Sequence, residues 1–152
     1  MSPRLEMVKE HLTVENHHDM EAMLATLADE NPVRDEISGK VYRGQNEVAA
    51  RYAELWTAFP DFNVSPTLMI EGDNTVMIEA DYTGTHKGPL NGHAPTNRKF
   101  KCRIVVVFRF VSEKIESESI YMDIAGQYRQ LGLPLEGVDG RAGKTSTSAA
   151  AS

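Results

Sequence analysis

A single carboxylate, Asp123, ends the run Ile115-Glu116-Ser117-Glu118-Ser119-Ile120-Tyr121-Met122-Asp123. In an extended chain successive side chains alternate between faces, so counting back by twos groups Asp123 with Tyr121, Ser119, Ser117 and Ile115. Glu116 and Glu118 then point the other way. This places one carboxyl group on an otherwise uncharged face of small, hydroxyl and aromatic side chains, which reads as a cavity wall. Desolvation in such a setting raises a carboxyl pKa, as a general base working near neutral pH requires. The competing expectation is an exposed strand-end carboxylate, or a helix cap for the segment Ile124 to Leu131.

His86 is the second candidate. Val76, Ile78, Ala80, Tyr82, Gly84 and His86 share a parity, so a strand that persists to its end turns the imidazole and the Tyr82 phenol inward, where they could polarise a substrate carbonyl. Alternatively, His86 is a strand-end histidine bonded to its own loop. Trp56 lies one position off a helical stripe and serves either as core or as a flat surface on which a ligand stacks. His11, His17, His18 and Asp19 do not form a metal site, because adjacent histidines diverge and the spacing matches no ligand pattern. Capping and solvation are expected of them, and no metal or cofactor is called for.

These residues need a scaffold, and the pattern along the chain supplies an α+β one. Residues 4–15 suit a helix on Leu5, Val8 and Leu12. A second begins near Asp19 with Met20, Met23, Leu24 and Leu27 on one face, and Asn31-Pro32 ends it. Val33 to Tyr42 reads as a short strand or turn. Val48, Tyr52, Leu55 and Phe59 form one stripe of a third helix that Pro60 terminates. Beyond Asp61 the period becomes two. Phe62–Ile70 and Thr75–Thr83 flank the turn Glu71-Gly72-Asp73-Asn74, and Arg98–Val111 and Ile115–Asp123 flank Ser112-Glu113-Lys114. Two long hairpins imply a curved antiparallel sheet against about three N-terminal helices. Residues 1–134 are expected to form one domain, and 135–152, rich in Gly, Ala, Ser and Thr, a flexible tail.

Composition narrows the partners. The chain has 152 residues and a formal charge of −6, with no basic run, so nucleic acid and anionic membranes are poor partners. No apolar stretch approaches membrane-spanning length, and the polar N-terminus does not read as an export signal. The single cysteine, Cys102, sits beside an apolar run and suggests a buried residue in a reducing cytoplasm.

Three helices followed by a strongly bent sheet resemble the cone-shaped nuclear-transport-factor-2-like fold. Ala58-Phe59-Pro60-Asp61, Gly84-Thr85-His86-Lys87-Gly88, Ala94-Pro95-Thr96, Lys114-Ile115 and Gln130-Leu131-Gly132 resemble its SnoaL-like branch, the polyketide (ester) cyclases. The resemblance implies a cofactor-free intramolecular aldol closure of a polyketide-like substrate, with Asp123 as general acid/base. It also implies a homodimer, which outward strand faces rich in Val and Ile would pair. Arg109 stands where the best-known cyclases carry a histidine. Facing the pocket it would bind an oxyanion or substrate carboxylate; facing outward it is a surface cation. Asp35 occupies the place of a polar pocket residue on the family's first strand, or else is a solvated turn carboxylate. The candidate site is therefore Asp123 and His86 as catalytic groups, with Trp56, Tyr82, Arg109, Tyr121 and Asp35 against the substrate. The alternative is a non-catalytic small-molecule receptor or dimerising scaffold on the same fold, since fold alone does not establish a reaction.

Overall fold

A computed structural model describes residues 1–136; the expected tail from 137 onward lies outside the described residues. The element order is α1 (Pro3–Asn16), α2 (Met20–Ala25), β1 (Val33–Asp35), β2 (Val41–Arg43), α3 (Gly44–Ala58), β3 (Asn63–Gly72), β4 (Thr75–Thr85), β5 (Lys99–Val111), β6 (Lys114–Met122) and α4 (Ile124–Leu131). The strands form one curved, unclosed sheet in the order β2-β1-β6-β5-β4-β3. None of the described helices is long and apolar enough to cross a membrane.

Three of the four described helices, α1, α2 and α4, begin at a side-chain cap. Ser2 accepts from the Leu5 amide and Pro3 fills the first helical turn of α1, where its missing N–H costs nothing. Asp19 caps α2 through the Ala22 amide. That second helix stops at Ala25, short of the expected Asn31, because the chain straightens there: Leu27 bridges to Ile115 and the Ala28 amide donates to the Ile115 carbonyl. On α3 the stripe Val48, Tyr52 and Leu55, continued by Phe59, is buried against the sheet. The same helix also buries Arg51, a charge that needs partners.

The two hairpins form as the alternation indicates, β3 with β4 and β5 with β6. Along β4 and β5 the inner face is Val76, Ile78, Ala80, Tyr82 and Phe100, Cys102, Ile104, Val106, Phe108, Phe110, all buried. One strand pair departs from antiparallel order, since β1 runs parallel to β6 with Val33 opposite Ser117 and Asp35 opposite Ser119.

The decisive irregularity is a bulge in β6. Phe110 pairs with Ile115 but Arg109 pairs with Ser117, so Glu116 is an extra residue on its strand. Ile115 points inward before the bulge. After it the inward positions are even-numbered, and Glu118, Ile120 and Met122 face the concave side of the sheet.

Candidate functional site

A cavity lies between the helices and the concave sheet face, with about 840 Å³ of unfilled space counted out to its open mouth. Its inner wall is apolar: Leu12, Leu55, Phe59, Phe62, Val64, Ile104, Val106, Phe108, Ile120 and Met122. Ile37, Ser38 and Lys40 from the β1–β2 turn, Leu90 and Asn91 from the β4–β5 loop, and Gln127 and Tyr128 from α4 belong to the same lining. Asn91 accepts from Arg51 at 3.3 Å and donates to the Tyr128 hydroxyl at 3.0 Å, so loop, α3 and α4 are joined beside the cavity.

One side of the cavity carries a buried charge ladder. Arg34 donates to Glu118 at 3.0 Å and to Glu36 at 3.1 Å, and Arg51 donates to the same Glu36 oxygen at 2.8 Å. Tyr52 donates to Glu118 at 2.6 Å, and the Arg34 guanidinium lies 4.9 Å over the Tyr52 ring. These four charges balance as two cations and two anions. Burial alone would raise the Glu118 pKa, but Arg34, His11 and the Tyr52 hydroxyl together bring it down to about 2. Glu36 is likewise held below its ordinary value against its own burial by the two arginines. Both are firmly ionised and poor proton acceptors.

Glu15 is the exception. It lines the cavity, is only 5 % exposed and makes no side-chain hydrogen bond to another described residue; its nearest ionic neighbour is His11 at 3.6 Å. Burial, offset by His11 and reinforced by repulsion from Glu118, pushes its pKa up to about 7. A carboxyl group titrating there gives and takes protons at physiological pH. Tyr82 and Gln127 also line the cavity and make no side-chain hydrogen bond to another described residue. Burial pushes the Tyr82 phenol up, so it stays a neutral donor.

The residues singled out from the sequence are dispersed. Asp123 is exposed and is the N-cap of α4, its Oδ1 accepting from the Gly126 amide at 2.8 Å. Tyr121 is 47 % exposed on the outer face. Both expectations of a cavity-facing side chain are corrected by the bulge at Glu116, which reverses the parity of everything after it. Arg109 also lies outside the cavity, donating to Ser119 Oγ at 2.9 Å. Asp35 is exposed, and its neighbour Arg34 is the inward residue of β1. Trp56 is buried but outside the lining, stacked on His18 with ring centroids 4.9 Å apart.

His86 is fully buried, yet not in the cavity wall. β4 ends at Thr85, and His86 enters the following loop, where Nδ1 accepts from the Thr96 amide at 3.2 Å and burial lowers its pKa. Tyr82 alone of the expected set lines the cavity.

The groups that do converge, Glu15, Arg34, Glu36, Arg51, Gln127 and Glu118, were not selected from sequence. A signal existed on α1. Val8, His11, Leu12 and Glu15 are buried at spacings of three, one and three, the footprint of a single helical face. Two ionisable residues on that stripe mark a polar interior.

A profile of the SnoaL-like polyketide cyclases matches residues 5–131. A protein assigned as a SnoaL-like polyketide cyclase from a Jannaschia species superposes with a TM-score of 0.80 at 18 % identity, covering 87 % of this chain and 93 % of that one. A protein assigned as a polyketide cyclase from Pseudomonas putida gives 0.78 at 17 %, covering 86 % and 98 %. A hypothetical protein with a ketosteroid isomerase-like fold from Catenulispora acidiphila, in complex with trimethylamine, gives 0.75 at 20 %, covering 86 % and 95 %. At these identities the superpositions establish the fold alone. No curated protein matches the chain. The profile spans most of the sequence and every element from α1 to α4, and on that basis the chain belongs to the SnoaL-like polyketide cyclase family.

Proposed function

We propose that the protein is a cyclase or isomerase acting on an uncharged, carbonyl-bearing small molecule, with Glu15 as its general acid/base. The observation that carries this reading is the Glu15 carboxyl in an apolar cavity wall, free of hydrogen bonds to described residues and titrating near 7. Family membership supports the cyclase or isomerase class.

The electrostatics of the cavity support an uncharged substrate. Arg34 and Arg51 are each committed to carboxylates, and Arg109, which could have met a substrate carboxylate, lies outside. Lys40 is an exposed cation in the β1–β2 turn and does not alter the deep wall. In the proposed reaction Glu15 removes a proton from a carbon next to a carbonyl, and Tyr82 or Gln127 donates to the carbonyl oxygen as charge develops there. In the aldol form the carbanion carbon bonds to a second carbonyl carbon, and Glu15 returns its proton to the new alkoxide. In an isomerisation the proton returns to a different carbon. Ketosteroid isomerases run the same kind of chemistry with a carboxylate base set beside neutral hydrogen-bond donors.

Two chains are proposed to pair through the outer sheet face, where Leu68, Ile70, Met77 and Tyr121 are exposed.

Glu15→Gln tests the reaction. It keeps shape and removes basicity, so turnover of an activated-methylene substrate should fall by about 10²–10⁴ with binding preserved. Near-normal turnover removes Glu15 from the mechanism. Ligand binding by the parent protein with no turnover of any bound compound would favour the receptor reading.

A further inference from the structure

Behind Glu15, one turn earlier on α1 and out of reach of a ligand, lies the fully buried His11. Resting on the assignment of Glu15 as the base, we propose that His11 is its positioning residue: a doubly protonated imidazolium, locked by Thr26, that favours the ionised form of Glu15 inside the cavity.

The hydrogen-bond pattern fixes the protons. Thr26 Oγ1 donates its single hydrogen to the Met23 carbonyl at 2.6 Å, and the same oxygen lies 2.8 Å from His11 Nδ1. With its proton spent, Thr26 can only accept, so Nδ1 carries hydrogen. The other nitrogen, Nε2, faces Glu118 at 3.5 Å, Glu15 at 3.6 Å and the Tyr52 hydroxyl at 3.4 Å. The Tyr52 hydrogen is directed to Glu118 instead. A bare Nε2 lone pair would thus confront two carboxylates with no donor, whereas an Nε2–H serves both.

Several elements pack against the imidazole and set its charge balance. Glu15 comes from α1 itself, Thr26 follows α2, Tyr52 comes from α3, Glu118 from β6 and the ring edge of Phe108 from β5, 5.5 Å between centroids. Arg34 of β1 opposes a second cation, but its guanidinium is committed to Glu118 and Glu36. Two carboxylates against one opposing cation leave the imidazolium favoured, in line with its raised pKa despite burial.

The consequence falls on Glu15. Burial and the Glu118 charge both favour its neutral acid form, which is no base at all; the His11 cation is the largest influence acting the other way. In the proposed cycle one proton passes from substrate carbon to Glu15 and back to substrate. His11 keeps both of its own throughout.

The test needs no substrate. In the free protein labelled with ¹⁵N-histidine and ¹³C-glutamate, NMR at about pH 7.5, above the ordinary histidine value, should show both His11 ring nitrogens protonated. His11→Gln should move the Glu15 midpoint up by about one to three pH units, the usual effect of an opposite charge at this range. Thr26→Val, which conserves shape and removes the acceptor for Nδ1–H together with the bond to the Met23 carbonyl, should lower the His11 midpoint. If His11→Gln does not fold, the parent protein and Thr26→Val decide the matter. A bare Nε2 at that pH, an unmoved His11 midpoint in Thr26→Val, or a Glu15 midpoint that stays or falls in His11→Gln overturns the proposal. Turnover of Glu15→Gln is read separately, so this pairing and the role of Glu15 as base can fail independently.

Discussion

Tyr52 of α3 donates its phenolic hydrogen to Glu118 of β6 across 2.6 Å, tying the helical layer to the last long strand through a buried carboxylate. With Arg34 and His11 on the same group, the pKa falls from 4.5 to about 2. A depressed folded-state pKa contributes stability that is present above the unfolded value and lost on acidification. Stability should therefore decline as pH drops from about 4.5 towards 2. Glu118→Gln should weaken that dependence and cost about 3–5 kcal/mol at neutral pH, because Arg34 loses a buried counter-charge. Urea unfolding across this pH range measures both, and parental stability in the variant at pH 7 would contradict the ladder's role.

Glu15 has the opposite sign. Its folded pKa is raised from 4.5 to about 7, so ionising it costs stability as pH rises between those values. Glu15→Gln should be more stable than the parent above neutrality, by about 3 kcal/mol at most, a difference that already contains the attraction to His11. The gap should close near pH 4. Thermal unfolding at both pH values checks this, and a variant less stable at pH 8 would show that the His11 attraction outweighs burial.

Asp123 is expected to matter for folding through its cap. Asp123→Ala should cost about 1 kcal/mol, while Asp123→Asn, which retains a capping oxygen, should change stability by a few tenths. Turnover should survive both. A loss of about 10² or more in Asp123→Asn would return that aspartate to the reacting group.

Tyr82→Phe separates ligand contact from packing. The ring packs on Phe62 and Phe100 at centroid distances of 5.1 and 4.8 Å, and Phe preserves this. Folding stability should stay within about 0.5 kcal/mol, while affinity for a carbonyl ligand drops roughly tenfold. Unchanged affinity would remove the phenol from recognition.

Gly88 shows why a small residue stands in the β4–β5 loop. Its amide and that of Lys87 both reach the Ala58 carbonyl at the end of α3, and an added Cβ would lie 2.3 Å from the Thr57 carbonyl oxygen. Gly88→Ala should cost about 2 kcal/mol or more, since the obstacle is backbone. A melting temperature equal to the parent's would mean the loop moves without penalty.

β4, β5 and α3 were legible because their apolar residues recur with clean periods of two and of three to four over eleven or more residues. β1 and β2 have three residues each, too short for a period to register, and the parallel β1–β6 pairing is a long-range contact without local trace. The site was less legible for two separate reasons. On α1 the buried face contains His11 and Glu15, so it lacks the hydrophobic stripe that marks a core helix. On β6 the parity count was sound from Ile115 but crossed Glu116, and a bulge residue resembles any other strand residue until its partner strand is known.

The bulge makes this wall of the cavity a two-frame device. Paired without the bulge, the same sequence would exchange the inward set Glu118, Ile120 and Met122 for Ser119, Tyr121 and Asp123, whereas deleting Glu116 would restore continuous alternation with the inward set unchanged. A one-residue slip of β6 against β5 would thus retire a clamped carboxylate and turn Asp123 inward at the far end of the same strand, without altering any residue of the chain. Relatives should accordingly be aligned through the bulge by strand pairing before any catalytic position is transferred between them.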